Sequence, residues 1–296
     1  MSASVVVAVD KSEQSMSAVD WAAAEAWRHQ RQLVIVHVLM FPMVDLPEIS
    51  AEYGRQMAGD LRAEALTLVA AAEKRARDIA PDLKIRSEIH DGYSAAATLS
   101  RRSRNAALMV LGRRGSGRFA ELLVGSTAAQ VTAHAVCPVV VIRDSHRPDA
   151  TYPGQVIAAV DGSPSSQPVL EFAFSEAAAH DTGLVAIHVW EDPWSSSFAV
   201  VPPTEDELSE DLDEARRMLS EALAGWRQKF PEVAVTTATP RGAINRTLSD
   251  LSVGARLLVV GSHGHGQFAG MLLGSTSQAM LHYAQAPVAV VRLPRQ

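Results

Sequence analysis

The chain repeats itself, and that repeat narrows its possible folds more than any other feature. Val5-Val6-Val7-Ala8-Val9-Asp10 returns as Val156-Ile157-Ala158-Ala159-Val160-Asp161. His37-Val38 returns as His188-Val189, and Cys137-Pro138 followed by Val-Val-Val-Ile lines up with Ala286-Pro287 followed by Val-Ala-Val-Val. The glycine-rich stretch from Gly112 to Thr127 returns from Gly261 to Thr276. The offset stays between 149 and 151 residues throughout. A constant offset over such a span is the mark of one domain present twice. The expected units are 1–144 and 153–296, joined through Arg143-Asp144-Ser145-His146-Arg147-Pro148-Asp149, which has no apolar period. The 296 residues are enough for two domains of ordinary size.

Within each unit, short apolar runs alternate with helical stretches. In the first, the strand candidates are about 4–10, 33–39, 84–90, 107–112 and 138–142. Leu33-Val34-Ile35-Val36 and Ala107-Leu108-Met109-Val110-Leu111 are apolar on consecutive residues rather than alternate ones. That pattern belongs to parallel strands covered on both faces. In the second unit, Leu208, Leu212, Ala215, Leu219, Leu223, Trp226 and Phe230 recur at steps of three or four. They predict one helix from about Glu205 to Phe230, stopped by Pro231. Strands alternating with helices imply right-handed crossovers and an α/β, doubly wound parallel sheet in each unit. Such sheets bind ligands beyond the carboxyl ends of their strands, where the strand order reverses. Asp10, Asp161, Gly112 and Gly261 are all expected on that rim.

Two segments carry the chemistry. Gly112-x-x-Gly115 is followed after nine residues by Gly125-Ser126, and Gly261-x-x-Gly264 after nine by Gly274-Ser275. Each follows a buried strand and precedes a helix. Glycine lets backbone N–H groups turn toward an anion with no Cβ in the way. A helix amino terminus adds N–H donors and the positive end of the dipole. Ser126 and Ser275 would either cap that helix or donate a hydroxyl to a phosphate oxygen. The pattern persists while its neighbours change, Arg113-Arg114 against Ser262-His263.

At these residues the chain resembles the universal stress protein family, specifically its tandem, two-domain, ATP-binding branch. The resemblance rests on G-x2-G-x9-G-[S/T] following strands that end in Val-Asp and His-Val, and it covers nearly the whole chain. It implies five-stranded parallel sheets of order 3-2-1-4-5, with ATP lying along the rim. Asp10 and Asp161 would then meet the ribose hydroxyls or a phosphate-bound metal, and the backbones of Val38 and Val189 would read the adenine edge. Gly112, Gly115, Gly125 and Ser126 would cradle one polyphosphate, and Gly261, Gly264, Gly274 and Ser275 the other. Thr127 and Thr276 would each add a backbone N–H. Leu111 and Val260 would support the ribose side, while Ala8 and Ala159 leave room for the base. Mg²⁺ would arrive with the triphosphate and be held largely by phosphates and water. The resemblance also implies a role in stress survival, dormancy or growth control, an internal pseudo-dimer of the two units and a homodimer of chains.

Several classes are disfavoured. A net charge of −6 offers no bulk attraction to nucleic acid or an anionic membrane. No apolar stretch approaches membrane-spanning length, and Val5–Val9 lacks the basic flank of a signal peptide. Cys137, the single cysteine, fits a reducing compartment, so the expected location is the cytoplasm. Neither loop has the lysine of a P-loop ATPase, and no Ser-His-Asp or G-x-S-x-G pattern is present. The reading is therefore a nucleotide-binding regulator rather than an enzyme. The alternatives are a slow ATP hydrolase using the same pocket, or an interaction or chaperone-like module without nucleotide. His263-x-His265 has no nearby carboxylate or cysteine and makes a poor metal site. His37 and His188 read as packed, hydrogen-bonded histidines, and Cys137 as core.

Overall fold

The computed structural model describes residues 3–40, 51–115, 124–143, 150–163, 166–190, 204–264 and 272–292, with only the backbone described for 51–54. The chain divides into two compact units, Met1–Ile142 and Arg143–Gln296.

The first unit alternates β1 (Ser4–Ala8), α1 (Glu13–Arg28), β2 (Leu33–Met40), α2 (Ala51–Ile79), β3 (Ile85–Gly92), α3 (Ala95–Arg102), β4 (Ala106–Gly112), α4 (Ser126–His134) and β5 (Val139–Ile142). Its strands are parallel and lie in the order β3-β2-β1-β4-β5. Val5, Val6 and Val7 pair with Leu33, Val34 and Ile35 on one side and with Leu108, Met109 and Val110 on the other. All nine of these side chains are buried, as consecutive apolar residues in a sheet covered on both faces should be. β1 is the strand where the order reverses, so the ends of β1 and β4 flank the crevice.

α1 begins where Ser12 accepts a hydrogen bond from Ser15 N, with Glu13 in the first turn and Arg28 in the last. Its inner face is small: Ala18, Ala22, Ala23 and Ala26 are all fully buried. Ala72 and Ala76 of α2 are buried as well, which lets that 29-residue helix lie close against α1. Arg75 on α2 grips Asp20 on α1 through two 2.5 Å hydrogen bonds.

The second unit repeats the plan with β6 (Val156–Ala159), α5 (Ser166–Ala179), β7 (Leu184–Ile187), α6 (Glu205–Ala222), α7 (Trp226–Lys229), β8 (Val235–Ala238), α8 (Ile244–Leu251), β9 (Leu257–Gly261), α9 (Ser275–Tyr283) and β10 (Val288–Val291). Its parallel order is β8-β7-β6-β9-β10. The fold class expected from the sequence is therefore the one observed.

One element differs from the sequence reading. The helix predicted from Glu205 to Phe230 ends at Ala222, and a separate short helix starts at Trp226. Gly225 makes the break, with φ 81° in the left-handed region. The break turns Trp226 and Phe230 onto Phe174 of α5. The Phe174 ring stacks on Trp226 at 5.6 Å and on Phe230 at 5.4 Å. Lys229 Nζ lies 4.7 Å from the Trp226 ring centre, and Trp226 Nε1 donates to Gln167 Oε1 at 3.0 Å. Phe174 stands where the first unit has Ala23. A bulky residue there requires an aromatic cluster in place of the first unit's alanine seam.

At the far edge of the first sheet, Glu88 on β3 holds Arg102, the last residue of α3, through contacts of 3.0 and 3.4 Å. His90 Nε2 is 3.0 Å from the same carboxylate. Burial alone would push the Glu88 carboxyl up. Hydrogen bonds from Arg102 and His90, with the charges of Arg102 and Arg86, outweigh it and hold the group below its ordinary value of 4.5. A depressed folded pKa stabilises above the unfolded value, and the contribution is lost as pH falls through the folded one. The stability gap between the native chain and Glu88→Gln should thus be open at neutral pH and close in acid. Urea denaturation from about pH 7 down to about pH 3 tests this, and a gap of constant size would contradict it.

Candidate functional site

In the second unit, the ends of β6, β7 and β9 and the start of α9 enclose a cavity of about 360 Å³. Ala159, Asp161, Val189, Val260, Gly261, Gly264, Gly274, Ser275 and Thr276 all line it. These are the nine residues singled out in this unit from the sequence. The other walls are Val160, Ser166, Val169, Ile187, His188, Ile244, Leu248, His263 and Ser277.

Local chemistry fixes each part. Beyond β6 the chain passes through Asp161 into a tight turn. Asp161 Oδ1 accepts from Ser163 N at 3.0 Å, Ser163 Oγ at 2.6 Å and Ser166 Oγ at 3.0 Å. Gly162 takes φ 77° in that turn. Beyond β9, Ser262 O accepts from Gly274 N at 2.7 Å, closing the loop at its neck. Ser277 Oγ donates to Gly261 O at 2.5 Å, tying α9 to the strand. A Cβ on Gly264 would collide with Asp161 Oδ2, so the loop backbone and the carboxylate are in direct contact.

The serine after the last glycine does not cap its helix. Gly274 and Gly125 are themselves the N-caps of α9 and α4, in extended geometry and with no side-chain cap hydrogen bond. Ser275 and Ser126 are the first helical residues. Of the two roles open to them from sequence, capping is thereby removed. The first turn of α9, whose N–H groups a helix cannot satisfy internally, contributes Ser275, Thr276 and Ser277 to the lining, along with Gly264.

The opposite wall is apolar: Val169, Ile187, Ile244 and Leu248. Ile244 and Leu248 come from α8 and were not picked out from the sequence. Their four-residue step marks the inner face of that helix, but only the fold reveals that this face borders the cavity. His188 Nδ1 donates to Val160 O at 2.8 Å, and His37 Nδ1 to Val9 O at the same distance in the first unit. Both histidines are thus hydrogen-bonded to strand ends. Among the described residues of the lining, Asp161, His188 and His263 are the ionisable ones.

The first unit shows the same framework. Asp10 Oδ1 accepts from Ser12 N at 3.0 Å and Ser12 Oγ at 2.5 Å, and Ser15 Oγ donates to Asp10 O at 2.7 Å. A Cβ on Gly115 would stand 2.5 Å from Asp10 Oδ2. Gly125 N donates to Arg113 O at 2.8 Å, and Arg114 N to Gln14 Oε1 at 2.7 Å. Gly112 lies tight against α1, because a Cβ there would meet the Gln14 backbone at 2.9 Å. Its bareness serves the packing of α1 on β4. Ala8 and Leu111 flank the crevice at the ends of β1 and β4, and Val38 lies on β2, with its Cγ1 3.5 Å from where a Cβ on Gly92 would be. Ser126 and Thr127 open α4. Lys11, where the second unit has Gly162, pairs with Glu64 on α2.

The serines that anchor both aspartates escaped the sequence reading. Their signal was present, since Asp10-x-Ser12 and Asp161-x-Ser163 recur at the same offset. His265, whose pairing with His263 reads from sequence as a poor metal site, lies outside the described residues.

Cys137 stands between α4 and β5 and is 7% exposed. Burial is the main cause that pushes its thiol up to about 12. Only the thiolate reacts readily, so an aromatic disulfide reagent at about pH 8 should label the native chain far more slowly than the urea-unfolded chain. Equal rates would contradict the core placement.

Among the described residues no helix is long and apolar enough to cross a membrane. A profile of the universal stress protein family matches residues 1–143 and again 154–292. Universal stress protein Rv1996 of Mycobacterium tuberculosis strain H37Rv is 36% identical over 304 residues, covering 98% of this chain and 95% of that protein. Universal stress protein Rv2623 of the same strain is 35% identical over 298 residues, with 97% and 96% covered. The crystal structure of a universal stress protein from Archaeoglobus fulgidus shares the fold with a TM-score of 0.69 at 18% identity, over 99% of this chain and 97% of that one. The chain belongs to the universal stress protein family, with two copies of the family's domain in tandem.

Proposed function

We propose that each unit binds one adenine nucleotide, ATP in the first place, and that the bound nucleotide makes the chain a regulator of stress response or growth rather than an efficient enzyme. One observation carries this reading. A single cavity gathers the glycine backbone of the loop, the open start of α9, the anchored Asp161 and an apolar wall. Backbone N–H groups of Gly264, Ser275 and Thr276 suit a polyphosphate. Asp161 suits the ribose hydroxyls, and the wall from Val169 to Leu248 suits a flat base. Asp10 with Gly115, Gly125, Ser126 and Thr127 does the same in the first unit.

The donor set does not suit a resident metal. Backbone amides repel cations, and Asp161, the one carboxylate among the described lining residues, already takes three hydrogen bonds on one oxygen. Mg²⁺ would come with the phosphates and be held by them and by water. Neither loop offers a lysine for the terminal phosphate, which favours holding over turnover. A ligand held only by the folded form stabilises it by mass action.

The test has two steps. Freshly purified protein is denatured and the released small molecules are identified by mass spectrometry, with ATP or a related adenine nucleotide expected. Phosphate release in Mg²⁺ is then timed, and a rate below about one per minute, far under ordinary enzyme turnover, is expected. No nucleotide in either native or reloaded protein would favour an interaction module. Fast release would favour a hydrolase.

A further inference from the structure

The described parts of the two loops differ in charge at two aligned positions, Arg113 against Ser262 and Arg114 against His263, and the second of these adjoins the glycine that touches the aspartate. His263 lines the second unit's cavity beside Gly264, Ser275 and Thr276. Its Nδ1 lies 3.1 Å from the hydroxyl of Ser262, which is only 4% exposed, so the ring's orientation is set from beneath. The first unit has Arg114 in that place, again immediately before the glycine that touches the aspartate. The Arg114 backbone is pinned at both ends, its N–H to Gln14 Oε1 and its carbonyl oxygen to Ser12 Oγ at 3.2 Å. The Arg114 Nε is buried with no hydrogen-bond partner among the described residues. A buried guanidinium N–H without an acceptor is costly, and an anion supplies one.

Building on the nucleotide reading above, we propose that the residue at this position selects for the number of phosphates. Arg114 makes the first unit a site for highly charged nucleotides, and His263 makes the second tolerant of monophosphates. A guanidinium carries its full charge at neutral pH and can donate two parallel hydrogen bonds to phosphate. An imidazole is ordinarily near-neutral there and offers one donor at most. Each added phosphate charge therefore gains more in the first unit than in the second. Charge-assisted hydrogen bonds exceed neutral ones by enough to make the difference about tenfold.

The experiment uses the full chain. Gly274→Glu leaves the first site to be read, and Gly125→Glu leaves the second. Dissociation constants for ATP and AMP are measured by calorimetry at about pH 7.5 in EDTA, because Mg²⁺ would neutralise much of the charge under test. The AMP-to-ATP ratio of constants should be about tenfold larger in the first unit. His263→Arg should raise the ratio of the second unit toward that value, Arg114→His should lower that of the first, and Arg114→Lys should restore part of it. A ratio that stays within about twofold when His263→Arg still binds AMP would overturn the selector alone. Failure of both units to bind either nucleotide would overturn the nucleotide reading itself, and the selector with it.

Discussion

Replacing Gly274 with glutamate is expected to halve the ATP bound per chain while leaving the fold intact. Gly274 has φ −67° and ψ 155°, which any residue can adopt. A Cβ there would lie 3.3 Å from Ser262 O and 3.4 Å from His263 Cα, so the loop need shift only by tenths of an ångström. The carboxylate would then stand at the start of α9, where the account seats a phosphate. Like charges at close range in a partly desolvated crevice, added to the lost volume, should weaken ATP by about a hundredfold or more. Gly274→Ala is the control, because it adds the Cβ without the charge and should retain most of the binding. Calorimetric stoichiometry near two for the native chain, near two for the alanine variant and near one for the glutamate variant is the expected set. Unfolding of the glutamate variant, seen by circular dichroism, would instead mean that the glycine serves the fold.

Phe174→Ala should produce the largest loss of stability. Its ring is fully buried and stacks on both Trp226 and Phe230. Removing it leaves a cavity that these two large rings, fixed by Gln167 and Lys229, cannot readily fill. Buried Phe→Ala changes cost about 3–5 kcal/mol. The equivalent position of the first unit is already Ala23, which is fully buried. Ala23→Phe should therefore destabilise the first unit by overpacking, by about 1–3 kcal/mol. Chemical denaturation of each variant tests both figures. A loss below about 1 kcal/mol for Phe174→Ala would show that the aromatic cluster is slack.

The repeat, the sheets and the loop glycines were legible because each is written locally. Short runs of consecutive valines and leucines between turn signals read as covered strands, and glycines at fixed spacing read as a backbone kept bare. Three features were not legible, each for a physical reason. The long helix of the second unit breaks at Gly225, yet the apolar steps run on through Trp226 and Phe230 because those rings are still covered, by Phe174 of α5. Ser126 and Ser275 were open to two roles, cap or phosphate donor, and preceding glycines in extended geometry take the cap position. Ile244 and Leu248 carry no sequence mark of a site, since only the crossover from β8 brings α8 to the cavity. Gly112 is the converse case. It was read as part of a phosphate cradle, and its nearest neighbour is the backbone of α1.

The central claim is that the bare backbone of each loop, with the first turn of the following helix, grips a polyphosphate. A crystal structure of the chain grown with Mg-ATP measures this most directly. The account predicts a triphosphate within hydrogen-bond reach of the N–H groups of Gly264, Ser275 and Thr276, and of Gly115, Ser126 and Thr127. Crystals in which both crevices hold protein side chains, or in which the nucleotide sits elsewhere, would contradict it.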